Sequence, residues 1–389
     1  MLTVFFKELL DNFRDRRVIL NTLVLGPLLG PVIFGVMISF MARETTERLE
    51  AALELPVVGA ENAPNLVGWM ERQGVIIESP PADPEQAVRE EEAEVVLRIP
   101  EGFADDWNAG RPAPVEIIAD RSLRYTGTTI SRVNGYLQTY NRQIGNLRLQ
   151  LRGVHPDITR PVDSQVVDLS TPTSRGGQVL AFLPYFILIT VFMGSMHMAI
   201  DTTAGERERK SLEPLLINPL PRWQIMAGKL LATTFFALAT LGLGLIAFVY
   251  AMGMLPTASM GVQLNLDFGV AARVFGVVAP AAVLAAALLT ILASFAKSFR
   301  EAQSYMGLVV LIPMIPSFWL LIDPTKAETW MTWVPLLNQN VVILELVRGE
   351  AVDAMWYVST LLSTSLFALL LAAVAGSLYN RPKLIFTGG

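Results

Sequence analysis

Long apolar runs separated by short charged segments set the pattern of this chain. Six of them carry no acidic or basic residue near the middle: Val18–Met41, Val179–Ile200, Leu230–Met252, Phe275–Phe295, Ala302–Ile322 and Val358–Leu378. A helix rises about 1.5 Å per residue, so about 20 apolar residues cross the roughly 30 Å of hydrocarbon in a bilayer. The pattern therefore predicts an α-helical integral membrane protein with about six transmembrane helices. The first run is longer than the apolar core of a secretory signal and is followed by Ala42-Arg43-Glu44 rather than a small-x-small cleavage site, so it predicts a retained anchor.

Two further segments are apolar but too short to span. Residues 1–17, MLTVFFKELLDNFRDRR, place Leu2, Phe6, Leu9 and Phe13 on one helical face and Lys7, Asp11, Arg14 and Asp15 largely elsewhere. That is the pattern of an amphipathic helix lying in the membrane surface. Residues 335–349, PLLNQNVVILELVRG, follow Trp319, Trp330 and Trp333 and precede Trp356, an aromatic belt where the fifth and sixth spans reach the outer surface. They predict a re-entrant or interfacial helix.

Residues 42–176 read differently. Short apolar runs at Leu55–Val58, Gly74–Glu78, Glu94–Ile99, Val115–Ala119 and Gln165–Leu169 predict strands, with short helices at Asn62–Gln73, Pro84–Glu92 and Phe103–Ala109 between them. A long polar helix over Thr128–Arg152 repeats Val133, Leu137, Tyr140, Ile144, Leu147 and Leu151 at the spacing of one buried face. Strands alternating with helices make an α/β domain between the first and second spans. The charges agree, since this stretch holds 14 of the 30 basic and 21 of the 35 acidic residues.

Basic residues also orient the spans. Residues 1–17 hold four Lys/Arg, 201–229 five, 297–300 two and 381–383 two, while the alternate short segments hold only Arg273, Lys326 and Arg348. The positive-inside bias puts both termini and residues 201–229 in the cytoplasm and 42–176 outside. The chain is 52% hydrophobic and 17% charged, with a net charge of −5 that gives no reason to expect nucleic acid as a partner. Cysteine is absent, which excludes a disulfide scaffold and a thiolate zinc site. His155 and His197 are too far apart for a metal pair, and no metal site is expected. No Gly-x-x-x-x-Gly-Lys-[Ser/Thr] occurs; the nearest approach, Trp223 to Leu230, has Trp in place of the first Gly and Leu after Lys229. Gly194-Ser195-Met196-His197 lacks the spacing of a nucleophile elbow.

The most charged inner segment is 201–232, DTTAGERERKSLEPLLINPLPRWQIMAGKLLA. Glu206–Leu216 can form a short helix with Arg207, Arg209, Lys210 and Glu213 exposed and Leu212, Leu215 and Leu216 on an apolar side. Pro219 and Pro221 then end it. A charged helix held rigidly between two spans is something a docked motor protein can push against; a solvated turn carrying topology charges is the alternative the residues alone leave open. Gly26–Gly30 (GPLLG) is a GxxxG that lets two first spans approach closely, a candidate dimer seam, unless Pro27 and Pro31 merely kink the helix. No carboxylate lies at mid-depth in a span, where an ion path usually has one. Asn21 and His197 are the main polar groups there, and Asn338, Gln339, Asn340 and Glu345 lie near the outer rim, with Asn338, Asn340 and Glu345 as a candidate outer path. An apolar interior rich in Leu, Phe and Met suits an amphiphile such as a drug or lipid, although backbone carbonyls at breaks near Pro184 or Pro313–Pro316 leave Na⁺ open.

The run AGERERKSLEPLLINPLPRWQIMAGKLL resembles the cytoplasmic loop of ABC-2 type transporter permeases, where Gly-Glu-(charged)-x-Leu-Glu-x-Leu-Leu precedes Pro-(Arg)-x-x-(aliphatic)-x-x-Gly-Lys. The layout along the whole chain, the IPEGF turn at Ile99–Phe103 and WVPLLNQNVVILELVRGE at Trp333–Glu350 resemble the sodium-efflux (NatB-like) subgroup, which has a large extracytoplasmic domain. The loop motif is fairly specific to the family; the layout narrows the subgroup and not the substrate. The resemblance implies an ABC-2, type V exporter-like fold organised as an elbow helix over 1–17, a first span over 18–41, the α/β domain over 42–176 and a five-span permease domain over 177–389. It implies an inner-membrane efflux permease that is not itself an enzyme and pairs with a second permease copy or a close paralogue. Two ABC ATPase subunits would hold the ATP and Mg, so no cofactor is expected on this chain. Gly205, Glu206, Arg207, Glu208, Arg209, Leu212, Glu213 and Leu215 match the coupling helix that docks into the ATPase. Phe6, Leu9 and Phe13 belong to the elbow helix, and the path runs along the dimer interface, lined largely by spans one, two and five. A membrane-anchored scaffold or binding protein of the cell envelope, without transport activity, is the other class. Such an anchor tolerates substitution of Glu206 and Arg209, whereas a coupled permease loses activity at unchanged expression.

Overall fold

The computed structural model of the chain describes residues 1–50, 52–123, 126–159, 181–211, 220–255, 265–322 and 328–378. Its apolar residues gather into separate cores because the chain divides into two units, Met1–Thr46 with Leu169–Gly389, and Glu47–Asp168. Helix α1 spans Leu2–Arg14, and a π turn over Ile19–Leu25 leads into α2, Gly26–Glu50.

The second unit runs β1 (Glu54–Val58), α3 (Pro64–Arg72), β2 (Ile76–Glu78), α4 (Pro84–Arg89), β3 (Val95–Arg98), α5 (Phe103–Asn108), β4 (Glu116–Ala119) and α6 (Thr126–Leu151). The sheet order is β2-β1-β3-β4, with β1 parallel to both neighbours and β4 antiparallel to β3. The central strands read as unbroken apolar runs, Leu55-Pro56-Val57 and Val95-Val96-Leu97, all buried, as strands covered on both faces must. Parallel pairs need crossovers, and α3 and α4 supply them; the Asp83 carboxylate caps α4 by accepting from the Gln86 N–H at 3.0 Å. Gly59, at φ +75°, closes β1, where a Cβ would come within 2.3 Å of the Ile99 carbonyl oxygen. Val133 and Tyr140 of α6 are buried and Leu137 and Ile144 partly so, but Leu147 and Leu151 are exposed. The apolar periodicity of that helix therefore outruns the sheet it covers. The strand predicted at Gln165–Leu169 lies outside the described residues.

In the first unit α7 (Leu183–Ile200) continues through a π turn, Asp201–Gly205, and one α turn, Glu206–Glu208. Then come α8 (Arg222–Met254), α9 (Phe268–Phe295), α10 (Phe299–Val309), α11 (Met314–Ile322), α12 (Leu337–Val347) and α13 (Ala354–Leu378). Six helical stretches are long and apolar enough to cross a bilayer: Ile19–Phe40, Leu183–Glu208, Arg222–Met254, Phe268–Phe295, Phe299–Leu320 and Ala354–Leu378. The second and fourth of these are the most buried. Alanines on α9, among them Ala281, Ala282, Ala285 and Ala286, let neighbouring helices close on it. The fifth span breaks between α10 and α11 at Pro313, which has no N–H to donate; Pro184 stands in the first turn of α7 and breaks nothing. Helix α12 is too short to span.

Candidate functional site

Helix α1 packs with its polar stripe inward. Val4, Glu8 and Asn12, at four-residue spacing, are buried, while Leu2, Phe6, Leu10 and Phe13 point outward. Such a helix offers apolar side chains to lipid and polar ones to protein. Of the face predicted for it, Leu2, Phe6 and Phe13 are outward, but Leu9 turns to pack with Val18, Met198 and Phe236. Gly228 of α8 makes the seat: a Cβ there would stand 2.8 Å from the Val4 Cβ and 2.9 Å from the Met1 carbonyl oxygen.

Beside that seat Lys229 is fully buried. Its ammonium donates to the Glu206 carboxylate and to the Thr202 carbonyl at 2.6 Å, and lies 4.0 Å from Glu8 Oε1. Lys7 reaches in from the surface to Glu8 at 3.0 Å and Glu206 at 3.3 Å. Two carboxylates thus share two ammonium groups across α1, α8 and the turn leaving α7. Burial pushes the Glu8 carboxyl above its usual range, against the pull of Lys229 and Lys7 and together with the repulsion of Glu206. Burial works to lower Lys7, but the charges of Glu8 and Glu206 outweigh it and hold the ammonium above its ordinary value.

The residues after Glu206 each reach a different element. Arg207 donates to the Ser294 carbonyl at 2.8 Å and the Ala296 carbonyl at 2.9 Å, at the C-terminal end of α9 where carbonyls lack helical partners. Glu208 accepts from the Phe299 N–H at 2.7 Å, the first turn of α10, where a carboxylate meets the positive end of the helix. Arg209 turns back to Asp201 at 2.9 Å. Three successive side chains, Glu206, Arg207 and Glu208, therefore join the turn after α7 to α1, α8, α9 and α10, and Arg209 ties the turn to itself. The periodicity puts Arg207 on an exposed face with Arg209 and Lys210; the structure corrects this, since the π turn over Asp201–Gly205 carries an extra residue and swings Arg207 inward beside Glu206, leaving Arg209 and Lys210 exposed. Leu212, Glu213 and Leu215 lie outside the described residues. Glu8 and Lys229 are the participants that helical periodicity misses.

The remaining candidates fall elsewhere. Gly26 and Gly30 are buried within the chain: a Cβ on Gly30 would come 3.1 Å from the Phe186 carbonyl oxygen, and one on Gly26 3.4 Å from Thr240 Cγ2. The close approach they allow is to α7 and α8 of the same molecule. Asn338, Gln339 and Asn340 are fully buried at the opposite end of the bundle. Asn338 Nδ2 donates to Ser363 Oγ and Thr364 Oγ1 at 3.0 Å, Gln339 Nε2 to Thr364 Oγ1 at 2.8 Å, and Asn340 accepts from the Ser317 hydroxyl. They brace α12 against α11 and α13 instead of facing an open passage. Glu345 is half-buried, and burial, with Glu350 beside it, pushes its carboxyl up to about 7. A lateral cleft of ≈ 610 Å³ opens between the first, second and fifth spans, with Asn21, His197 and Gln303 among Leu25, Met193 and Met196. Among the described residues no group of three or more His, Cys, Asp or Glu could hold a metal.

Six helices long and apolar enough to span, a short apolar helix and a buried charge cluster at one end are the features of a multi-pass membrane permease. The chain belongs to the family described as ABC-2 family transporter protein, which it matches over residues 17–375. It is similar to the ABC transporter permease protein NatB of Bacillus subtilis (strain 168), with 29% identity over 371 residues, 93% of this chain and 92% of that protein. It is also similar to the Probable multidrug ABC transporter permease YbhR of Escherichia coli (strain K12), with 26% identity over 178 residues, 45% of this chain and 46% of that protein. Membership implies an ABC ATPase partner.

Lys229→Met leaves the Glu206 and Glu8 carboxylates only the half-exposed Lys7 as a partner and costs about 3–5 kcal/mol, the usual loss when one partner of a buried pair is removed. Thermal unfolding in detergent is expected to fall accordingly, and Lys229→Met with Glu206→Gln to recover most of the loss; a double variant as unstable as the single would break the pairing argument. A second expectation concerns pH. The Glu345 carboxyl, raised from 4.5 to about 7, favours the folded state when protonated. Its contribution is present in full below the unfolded value and disappears as pH rises through the folded one. Glu345→Gln is therefore expected to flatten the decline in melting temperature between those two values.

Proposed function

We propose that the chain is the permease subunit of an ATP-driven exporter in a bacterial cytoplasmic membrane, with a separate ATPase docked at the end carrying α1 and residues 201–229. The observation that supports this best is the sequence of contacts made by Glu206, Arg207, Glu208 and Arg209. A force on that turn is passed at once to α1, α8, α9 and α10. The surplus of Lys/Arg on the segments at this end favours a cytoplasmic location for it, with residues 42–176 on the other side. The sequence has no phosphate-binding loop, and Gly228 and Lys229, its nearest counterpart, seat α1 and neutralise Glu206. ATP hydrolysis then belongs to the partner, and a second permease copy or close paralogue completes the path.

For the cargo we infer an amphiphile. Methionine and leucine with a few dispersed polar groups line the lateral cleft, which suits an apolar body with a polar head better than dehydrated Na⁺, whose coordination calls for several converging oxygens. The multidrug description of YbhR points the same way.

Gentle purification of the tagged chain from its native host is expected to yield a stoichiometric ABC ATPase with Mg-ATP hydrolysis stimulated by amphiphiles. Glu208→Gln is expected to keep the ATPase bound and lower that stimulation about tenfold, the equivalent of about 1.4 kcal/mol of coupling. Failure to recover any ATPase, even by crosslinking to residues 201–229, would remove the foundation of the exporter assignment. Stimulation by Na⁺ alone would replace the amphiphile.

A further inference from the structure

The α/β unit, to which the exporter assignment gives no task, holds an open cleft of ≈ 470 Å³ between α5, β4 and the middle of α6. One wall is formed by the half-buried Trp107, backed by the buried rings of Phe103 and Tyr140. The Phe103 and Trp107 rings stack at 5.7 Å and the Trp107 and Tyr140 rings at 5.8 Å, inclined by only 18° and 21°. Val115, Ile117 and Ile144 extend the apolar surface. At the edge of this wall the Arg148 guanidinium lies 4.4 Å from the centre of the Trp107 ring and donates to the Trp107 carbonyl at 3.0 Å. These contacts fix the cation in place without neutralising it: among the described residues no carboxylate pairs with Arg148. The other arginine of the cleft, Arg111, is already held by Asp106 at 2.7 Å.

A second feature keeps the cleft open. Gly145 faces it from within α6, and a Cβ added there would meet nothing within 4 Å. Glycine inside a helix costs about 1 kcal/mol relative to alanine, and a larger side chain at this lining position would take up space in the cleft.

We propose that this cleft binds an organic anion with a flat apolar body, an aryl carboxylate or sulfonate, its ring against the half-buried Trp107, Val115 and Ile117 and its charge at Arg148. A neutral ring would leave the guanidinium without an anion, and a small hydrophilic anion would leave the aromatic wall wet. A charge-assisted, forked contact and ring stacking are satisfied together only by a molecule carrying both parts.

The test is photolabelling of the full chain in lipid nanodiscs with 4-benzoylbenzoate, followed by peptide mass spectrometry; no ATPase or transport assay enters it, so its outcome is independent of the exporter assignment. Saturable labelling of the α5 and α6 peptides is expected, with naphthalene-2-sulfonate competing about tenfold better than naphthalene. Gly145→Leu is expected to reduce the labelling at least about fivefold by filling the cleft. Gly135→Leu, on the same helix with nothing within 4 Å and outside the cleft, is expected to leave it unchanged. Arg148→Gln is expected to bring the two competitors to equal strength while labelling by neutral benzophenone persists, a readout that keeps the proposal testable if Gly145→Leu fails to fold. Unsaturable labelling, equal loss in both glycine variants, or equal competition by both naphthalenes in the unaltered chain would each overturn it.

Discussion

An ammonium group withdrawn from water loses hydration worth several kcal/mol, and only a close carboxylate with further hydrogen bonds can offset the loss. Lys229 is withdrawn completely, at the beginning of the longest membrane helix, so the surrounding structure has to bring acidic groups to it. Glu206 arrives from the turn after α7 and Glu8 from α1. The turn could not move far from α8 without parting Lys229 from Glu206, and the departure of α1 would remove Lys7 and Glu8 from the cluster. The attachment of an otherwise peripheral helix, outwardly apolar and laid against the bundle, combines this requirement with the seating of Val4 on Gly228 and the packing of Leu9 on Phe236.

The same turn uses helix-end chemistry to hold two more elements. Arg207 answers carbonyls at the C-terminal end of α9 and Glu208 answers an N–H at the N-terminal end of α10, each charge matched to the sign of the end it meets. The short link between α9 and α10 is therefore bracketed from outside by consecutive side chains of a different segment. Hydrogen bonds to charged groups are worth roughly 1.5–3 kcal/mol where they are shielded from water, as at Arg207, and less at the exposed Glu208. The proposed docking of a motor at this turn would use these contacts to several helices at once.

Much of this was legible in the residues because membrane spans and α/β units announce themselves by length and period. The six spans, the central strands and the polar helix over Thr126–Leu151 all follow from counting apolar positions. The charge cluster was not, for two reasons. Amphipathicity lays α1 in the membrane surface without saying that its polar face seeks protein there, so nothing in the sequence singles out the buried Glu8. And in Glu-Arg-Glu-Arg-Lys the alternation of charges leaves their direction undetermined until the π turn over Asp201–Gly205 sets the phase. A signal for Lys229 did exist, a glycine and a lysine at the mouth of an apolar run within the family-like motif, but only the contact of Gly228 with Val4 gives it a meaning. Gly26 and Gly30 illustrate the opposite case: their spacing permits close packing without saying which helix is the partner.

The distribution of polar groups also bears on what the bundle can carry. At the end opposite the charge cluster, the Asn338 amide nitrogen has two hydrogens to share among the Thr332 carbonyl at 3.2 Å and the Ser363 and Thr364 hydroxyls at 3.0 Å. A dehydrated cation entering there would have to displace a donor already surrounded by these oxygens, undoing the brace between α12 and α13. The lateral cleft offers the reverse arrangement, with Asn21, His197 and Gln303 set apart among methionine and leucine side chains. Flexible thioethers adapt to varied apolar shapes, and isolated polar groups can orient one head group without forming a coordination shell. The proposed amphiphile cargo rests on this contrast between a saturated amide network and a methionine-lined cleft.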